Sequence, residues 1–123
     1  MAWEVVLLDE VDEWYLRLVR TDAETATAVT AAIDSLESEG PTLGRPLVDK
    51  VKGSHVHNMK ELRPSGTSVR ILFVFDPRRQ AVLLVAGDKA GAWKQWYVDN
   101  IPRAEERYTM WLTEQNTSGT QEV

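Results

Sequence analysis

Two apolar runs separated by a charged linker constrain this chain more than any other feature. Residues 69–75 read VRILFVF and residues 80–86 read QAVLLVA, rich in β-branched and aromatic side chains and free of breakers. The linker Asp76-Pro77-Arg78-Arg79 has the length and chemistry of a hairpin loop, so the two runs are expected to pair antiparallel. Both are apolar on both faces for most of their length. Such strands belong in the middle of a sheet, where each face is covered. The rest of the chain must supply the edges and the cover.

Upstream, residues 3–8 (WEVVLL) read as a first strand. From Asp9 the period changes: Val11, Trp14, Tyr15 and Leu18 recur at the spacing of one helix face. A second helix is expected from Thr21, where T-D-A-E has the form of a capping box. Its buried stripe is Ala26, Val29, Ile33 and Leu36, and Gly40-Pro41 ends it. Residues 41–55 read as a loop with one short strand at 47–51, and strand character returns over 56–62. Pro64-Ser65-Gly66 then marks a turn before the hairpin. After it, the glycine loop 87–91 leads into a helix carrying Trp93, Trp96 and Tyr97. Pro102 either opens a last helix or kinks a longer one whose apolar side continues through Ala104, Tyr108 and Trp111. The order β-α-α-β-β-β-α describes an α+β fold: an N-terminal strand and helical hairpin packed on a small, mainly antiparallel sheet, with a C-terminal helix at one end. One domain over residues 1–114 and a frayed polar tail over 115–123 are expected.

The net charge of −5 hides an asymmetry. Residues 1–40 carry ten acidic and two basic groups, whereas residues 41–112 carry seven acidic and twelve basic ones. An acidic outer layer and a basic working face would produce that division. There is no Cys, which removes disulfides, thiolate metal sites and cysteine nucleophiles together. The acidic N-terminus does not read as a signal peptide, so none is expected, and no run approaches the roughly 20 apolar residues of a membrane span. A cytoplasmic protein without membrane contact is expected.

Familiar catalytic patterns are missing: neither G-x-S-x-G, a phosphate loop nor H-E-x-x-H occurs. His55 and His57 would share a face of a strand, but no third ligand accompanies them, so neither a metal nor any other cofactor is expected. What remains is a set of cations on strands and loops: Lys50, Lys52, Lys60, Arg63, Arg70, Lys89 and Lys94. Arg70 interrupts an apolar run, so its guanidinium should meet a carboxylate, with Glu61 the candidate, or face a cleft. Trp93, Trp96 and Tyr97 fall on one helix face, fit either to stack bases or to build core. Clustered cations suit one reaction in particular. In RNA the 2′-hydroxyl supplies the nucleophile, so the protein need only orient the chain, move a proton and stabilise phosphate oxygens. Arg suits the bidentate phosphate contact, and a Lys or His57 the proton transfer.

The segment from N-M-K-E-L-R through R-A-E-E-R-Y, residues 58–108, resembles the phage-related, HigB-like branch of the RelE/ParE toxin superfamily. The resemblance rests on K-E-L-R at 60–63, V-R-I-L-F at 69–73, G-D-K at 87–89 and the W-K-x-W-Y helix at 93–97, and it covers residues 3–112. It implies a RelE-like fold and the toxin of a type II toxin–antitoxin system, a ribosome-dependent mRNA endonuclease that inhibits translation. Its partners would be a helix-turn-helix, HigA-like antitoxin and mRNA on the ribosome, with operator DNA reached only through the antitoxin. By position, Arg63 and Arg70 would hold the scissile phosphate and Lys60 or Lys89 would transfer protons. His57, Trp93, Lys94 and Trp96 would contact RNA. An ideal strand turns Lys60 and Arg63 to opposite faces, which sets Lys60 against that assignment. Two alternatives share the fold: a ParE-like toxin that binds DNA gyrase, and a protein-binding module without catalysis.

Overall fold

The computed structural model describes residues 2–56 and 58–121, with side chains described to residue 116. The strands are β1 (Glu4–Leu7), β2 (Val48–Lys50), β3 (Lys60–Leu62), β4 (Val69–Asp76) and β5 (Gln80–Asp88). The helices are α1 (Asp9–Thr21), α2 (Ala23–Glu39) and α3 (Trp93–Gln121), with a short 3-10 turn at Gly40–Thr42. The five strands form one sheet in the order β1-β5-β4-β3-β2. The hairpin β4–β5 is central, as its two apolar faces require. β1 joins β5 in parallel, and the other pairings are antiparallel.

Strand alternation divides the core in two. Val69, Ile71 and Phe73 of β4 meet Val11 of α1 and Val29, Ala32 and Leu36 of α2 on one face. Leu72 and Val74 face the other way, onto Ala104, Ile101, Tyr108 and Trp111 of α3. The C-terminal helix therefore lies across the second face rather than at one end of the sheet. Trp111 Nε1 donates to the buried carboxylate of Asp76 at 3.0 Å, tying the helix to the end of β4. Pro102 sits inside α3, so one continuous helix takes the place of the two that a Pro at N1 would have given.

A bulge on β5 resets the alternation near the end of the hairpin. Leu72 pairs with Val85 but Phe73 with Leu83, so Leu84 is the extra residue, and both Leu84 and Val85 pack on the α3 side. The Leu84 carbonyl receives a hydrogen bond from Arg107 Nη1 at 2.8 Å. Past the bulge the alternation is shifted by one, which brings Gly87 onto the α3 face opposite Arg70.

Several local expectations are corrected. The α2 cap is Asp22, whose Oδ1 accepts from Thr25 N at 3.2 Å, while Thr21 closes α1 and donates to the Arg17 carbonyl. Asp22 stands directly before that first turn and its carboxylate takes the cap, so the box expected from Thr21 and Glu24 is replaced by the Asp22–Thr25 pair. The strand expected over 56–62 shrinks to β3, because the segment before it leaves the sheet to dock on α3: Ser54 Oγ donates to Glu105 Oε2 at 2.9 Å and His55 N donates to the same oxygen. His55 thus lies on a loop, and His57 lies outside the described residues. The β4–β5 linker is Pro77–Arg79 with Asp76 paired to Gln80, one residue shorter than expected. Helix α3 runs on through the polar stretch from Gln115 to Gln121.

Candidate functional site

The alternation that builds the core also sorts the cations. Asp49 pairs with Glu61, and Glu61 with Leu72, so all three belong to the α3 face along with Arg70. Arg63, two residues beyond Glu61, returns to that face just past the end of β3. Lys60 pairs with Phe73, which packs under the helical hairpin, so Lys60 belongs to the opposite face. The structure therefore unites Arg63 and Arg70 and leaves Lys60 apart from them, as the strand geometry requires.

Near the open end of this face, α3 begins and does not close over the sheet. An open groove of about 630 Å³ results, lined by Asp49, Glu61, Arg63, Trp93, Lys94 and Tyr97, with Lys50, Val51, Lys52 and Val98 completing it. A second groove runs on past Tyr97 and Val98 toward His55, Pro102 and Glu105. Trp93 is 54% exposed at the first turn of α3. Two ammonium groups flank its ring: Lys89 Nζ at 5.8 Å and Lys94 Nζ at 5.5 Å from the centroid. Trp96, one turn on, is half-buried and packs with the α3-side core. The two tryptophans singled out together thus occupy different environments, one presented to solvent and one wedged against the sheet.

The floor of the groove is a mixed-charge network. Arg63 Nε lies 3.3 Å from Glu61 Oε1 and its Nη1 lies 3.7 Å from Asp49 Oδ2. The ion pair considered for Arg70 with Glu61 is thus made by Arg63 instead. Arg70 donates from Nη1 to the Val69 carbonyl at 2.8 Å, and its buried Nε has no hydrogen-bond partner among the described residues. Tyr97 donates its hydroxyl to Glu61 Oε2 at 2.6 Å. Burial and that carboxylate push the Tyr97 phenol up to about 12, against the opposing pull of the Arg70 guanidinium.

The loop carrying Lys89 is pinned by Asp88, whose Oδ1 accepts from Ser68 Oγ at 2.5 Å and from Ala90 N at 2.8 Å. Those hydrogen bonds hold the Asp88 carboxyl below the usual carboxylate range, and the Arg70 charge adds to them. Among the described residues no group of His, Asp and Glu side chains could hold a metal ion.

Asp49 and Asp88 are members of this constellation that the sequence did not single out, whereas Glu61 was expected only as a partner of Arg70 and Tyr97 only as one of three aromatics on a helix face. Tyr97 had a signal in its helical spacing with Trp93. Glu61 had one in its place between Lys60 and Arg63, but its turn toward Tyr97 depends on where α3 packs.

The sheet also separates the charges. The acidic hairpin α1–α2 covers one face and the groove opens on the other, so the net charge of −5 does not describe the surface around Trp93. No described helix is long and apolar enough to cross a membrane.

The model of the phage-derived Gp49-like protein family (DUF891) matches residues 17–109. A putative toxin HigB3 of Mycobacterium tuberculosis is 58% identical over 94% of this chain and 98% of its own length. A putative toxin HigB2 of the same organism is 55% identical over 76% of this chain and 48% of its own length. Among solved structures, a mutant of the E. coli toxin RelE in its free state matches 84% of this chain and 98% of its own, with a TM-score of 0.55 at 14% identity. That last likeness is one of fold, and it agrees with the RelE-like architecture read from the sequence.

Proposed function

Because the chain belongs to the phage-derived Gp49-like family and is a HigB-like toxin of the RelE superfamily, we propose that it is an endoribonuclease that cuts mRNA on the ribosome. A cognate antitoxin follows from the toxin's place in a toxin–antitoxin system; that this antitoxin is a helix-turn-helix protein of HigA type belongs to the proposal. So does action in the cytoplasm, where translating ribosomes are.

One observation carries the reading: Lys50, Lys52, Arg63 and Lys94 line one open groove with the exposed indole of Trp93, whose ring is flanked by the ammonium groups of Lys89 and Lys94. Single-stranded RNA is bound by that combination, with cations on the phosphates and an aromatic ring under a base. Arg70 makes no ion pair with a carboxylate among the described residues and suits the scissile phosphate, where a bidentate guanidinium follows the charge that grows on the non-bridging oxygens. Arg63, held by Glu61 and Asp49, would orient the neighbouring phosphate. Trp93 would stack a base, with Lys89 and Lys94 beside it. Lys89 stands on a loop braced by Asp88 and would protonate the leaving 5′-oxygen. Trp96 supports the floor beneath them. The attacking oxygen is the substrate's own 2′-hydroxyl, so the chain supplies no nucleophile.

The test is primer extension on cellular mRNA after induction of this gene without its neighbours. New 5′ ends within translated regions, lost when translation initiation is blocked, are the expected result. Growth arrest with intact transcripts would overturn the nuclease reading.

A further inference from the structure

A carboxylate does not belong at the centre of a phosphate-binding site, yet Glu61 is there. It lies on the three-residue strand β3, is only 6% exposed, and sits beside Arg63, one of the two arginines proposed to bind RNA. Burying a carboxylate is costly unless its oxygens are engaged. Oε2 accepts from Tyr97 at 2.6 Å, and Oε1 lies 3.3 Å from Arg63 Nε in an ion pair that is not a hydrogen bond. Its sheet neighbours Leu62 and Leu72 are fully buried, so an apolar side chain would suit packing at this point at least as well.

The Tyr97 hydroxyl has one proton to donate, and Glu61 takes it. The phenol oxygen also lies within reach of the Arg70 guanidinium, and its remaining lone pair is left for whatever enters the groove; Tyr97 lines both grooves. A phenol that stays protonated to about 12 is no free base at neutral pH. It can accept a proton only while passing its own to a partner, and the partner is already in contact.

We infer that Glu61 is a positioning residue of the RNA site, acting through Tyr97: it fixes the phenol oxygen at the groove floor and receives the phenol proton as Tyr97 deprotonates the 2′-hydroxyl. The inference rests on the nuclease reading. In the step, the 2′-hydroxyl proton moves to Tyr97 Oη while the Tyr97 proton moves to Glu61 Oε2. The 2′-oxygen bonds to phosphorus, the bond from phosphorus to the 5′-oxygen breaks, and that oxygen takes a proton from the Lys89 ammonium. Solvent then restores both residues.

A purely electrostatic role predicts the opposite outcome from this one. Were Glu61 there only to balance Arg63, its neutralisation would strengthen RNA binding and leave cleavage intact or faster. The experiment is single-turnover cleavage of a ribosome-engaged reporter mRNA by the purified chain, across pH, for wild type, Glu61→Gln, Tyr97→Phe and the double variant. The expected result is a loss on the order of 100-fold in rate for each single variant, no further loss in the double variant, and undiminished RNA binding. A Glu61→Gln rate within a few-fold of wild type overturns the inference while the nuclease reading stands; a wild type that cuts nothing overturns both. Thermal unfolding by circular dichroism accompanies each variant. If Glu61→Gln is not folded, Tyr97→Phe, which keeps the packed ring, decides: full activity there overturns the relay.

Discussion

The indole nitrogen of Trp96 stands 2.7 Å from the point that a Cβ on Gly87 would occupy. Ring and strand are in direct contact, and the contact lies opposite Arg70, which pairs with Gly87 across the β4–β5 ladder. A rigid ring wedged into a packed layer cannot give way like a flexible chain end. Gly87→Ala should therefore destabilise the fold by about 1–3 kcal/mol through overpacking. Gly44→Ala, where an added Cβ meets nothing within 4 Å, is the control and should leave the midpoint of urea unfolding in place. Equal midpoints for the two variants would show that Trp96 is not held where it is described.

The two arginines of the groove should separate in their effects on stability. Arg70 makes one backbone hydrogen bond and has no carboxylate in ion-pair contact among the described residues, so Arg70→Ala should stay within about 1 kcal/mol of wild type and abolish toxicity. Arg63→Ala strips a cation from the buried Glu61 and should cost more, roughly 1–3 kcal/mol. Denaturation of both variants beside a growth assay tests this. Survival of toxicity in Arg70→Ala would remove that residue from the site, and unfolding would make it structural.

Trp93 and its two lysines should be distinguishable by salt. Trp93→Ala should weaken binding of single-stranded RNA by about 1–3 kcal/mol at every ionic strength, the cost of a lost stacking surface. Lys89→Ala and Lys94→Ala should each reduce the slope of log affinity against log salt by about 0.7, one phosphate contact on a single strand. Fluorescence anisotropy with a short RNA at several salt concentrations gives both quantities. Unchanged slopes would place the lysines off the phosphate path.

Alkaline titration reports on Tyr97. Its phenol is raised from the ordinary 10.0 to about 12, first by burial and then by its hydrogen bond to Glu61. A group whose folded pKa is raised stabilises fully below its unfolded value, and that contribution is lost as pH rises through the folded one. For Tyr97 the window runs from about 10 to about 12. Tyr108 is also raised, by burial and by the charge of Asp76. Absorbance of tyrosinate should show a late-titrating step that shrinks in Tyr97→Phe and again in Tyr108→Phe. A step unaltered by Tyr97→Phe would mean that the hydrogen bond to Glu61 does not form in solution.

Much of the fold is legible in the chain because its signals are local. The runs around Ile71 and Leu83 are central strands for the reason the sequence shows, apolar character on both faces. The stripes of α1 and α2 face the sheet at the expected residues Val11, Val29 and Leu36. Where two local signals competed, reading failed: Thr21 and Asp22 both carry capping oxygens, and only the turn geometry chooses Asp22. The segment before β3 looked extended because Val56 favours strands, but its partners are on α3, Glu105 above all, some fifty residues away in the chain.

By itself the sequence determined the class of fold, the central hairpin, the division of charge between the two halves of the chain, and the arginines and lysines worth examining. Residue type and spacing are enough for these, since a strand's alternation and a helix's stripe are properties of a few neighbouring residues. The tertiary structure alone decided which of those cations share a site. Alternation alone had set Lys60 apart from Arg63, but the pairing of Lys60 with Phe73 decided that it is Lys60 that turns to the face of the helical hairpin, and the bulge at Leu84 brought Gly87 opposite Arg70 and under Trp96. Docking of α3 across the second face then delivered Tyr97 to Glu61. Each of these depends on register and packing between segments far apart in the chain, and no local pattern encodes them.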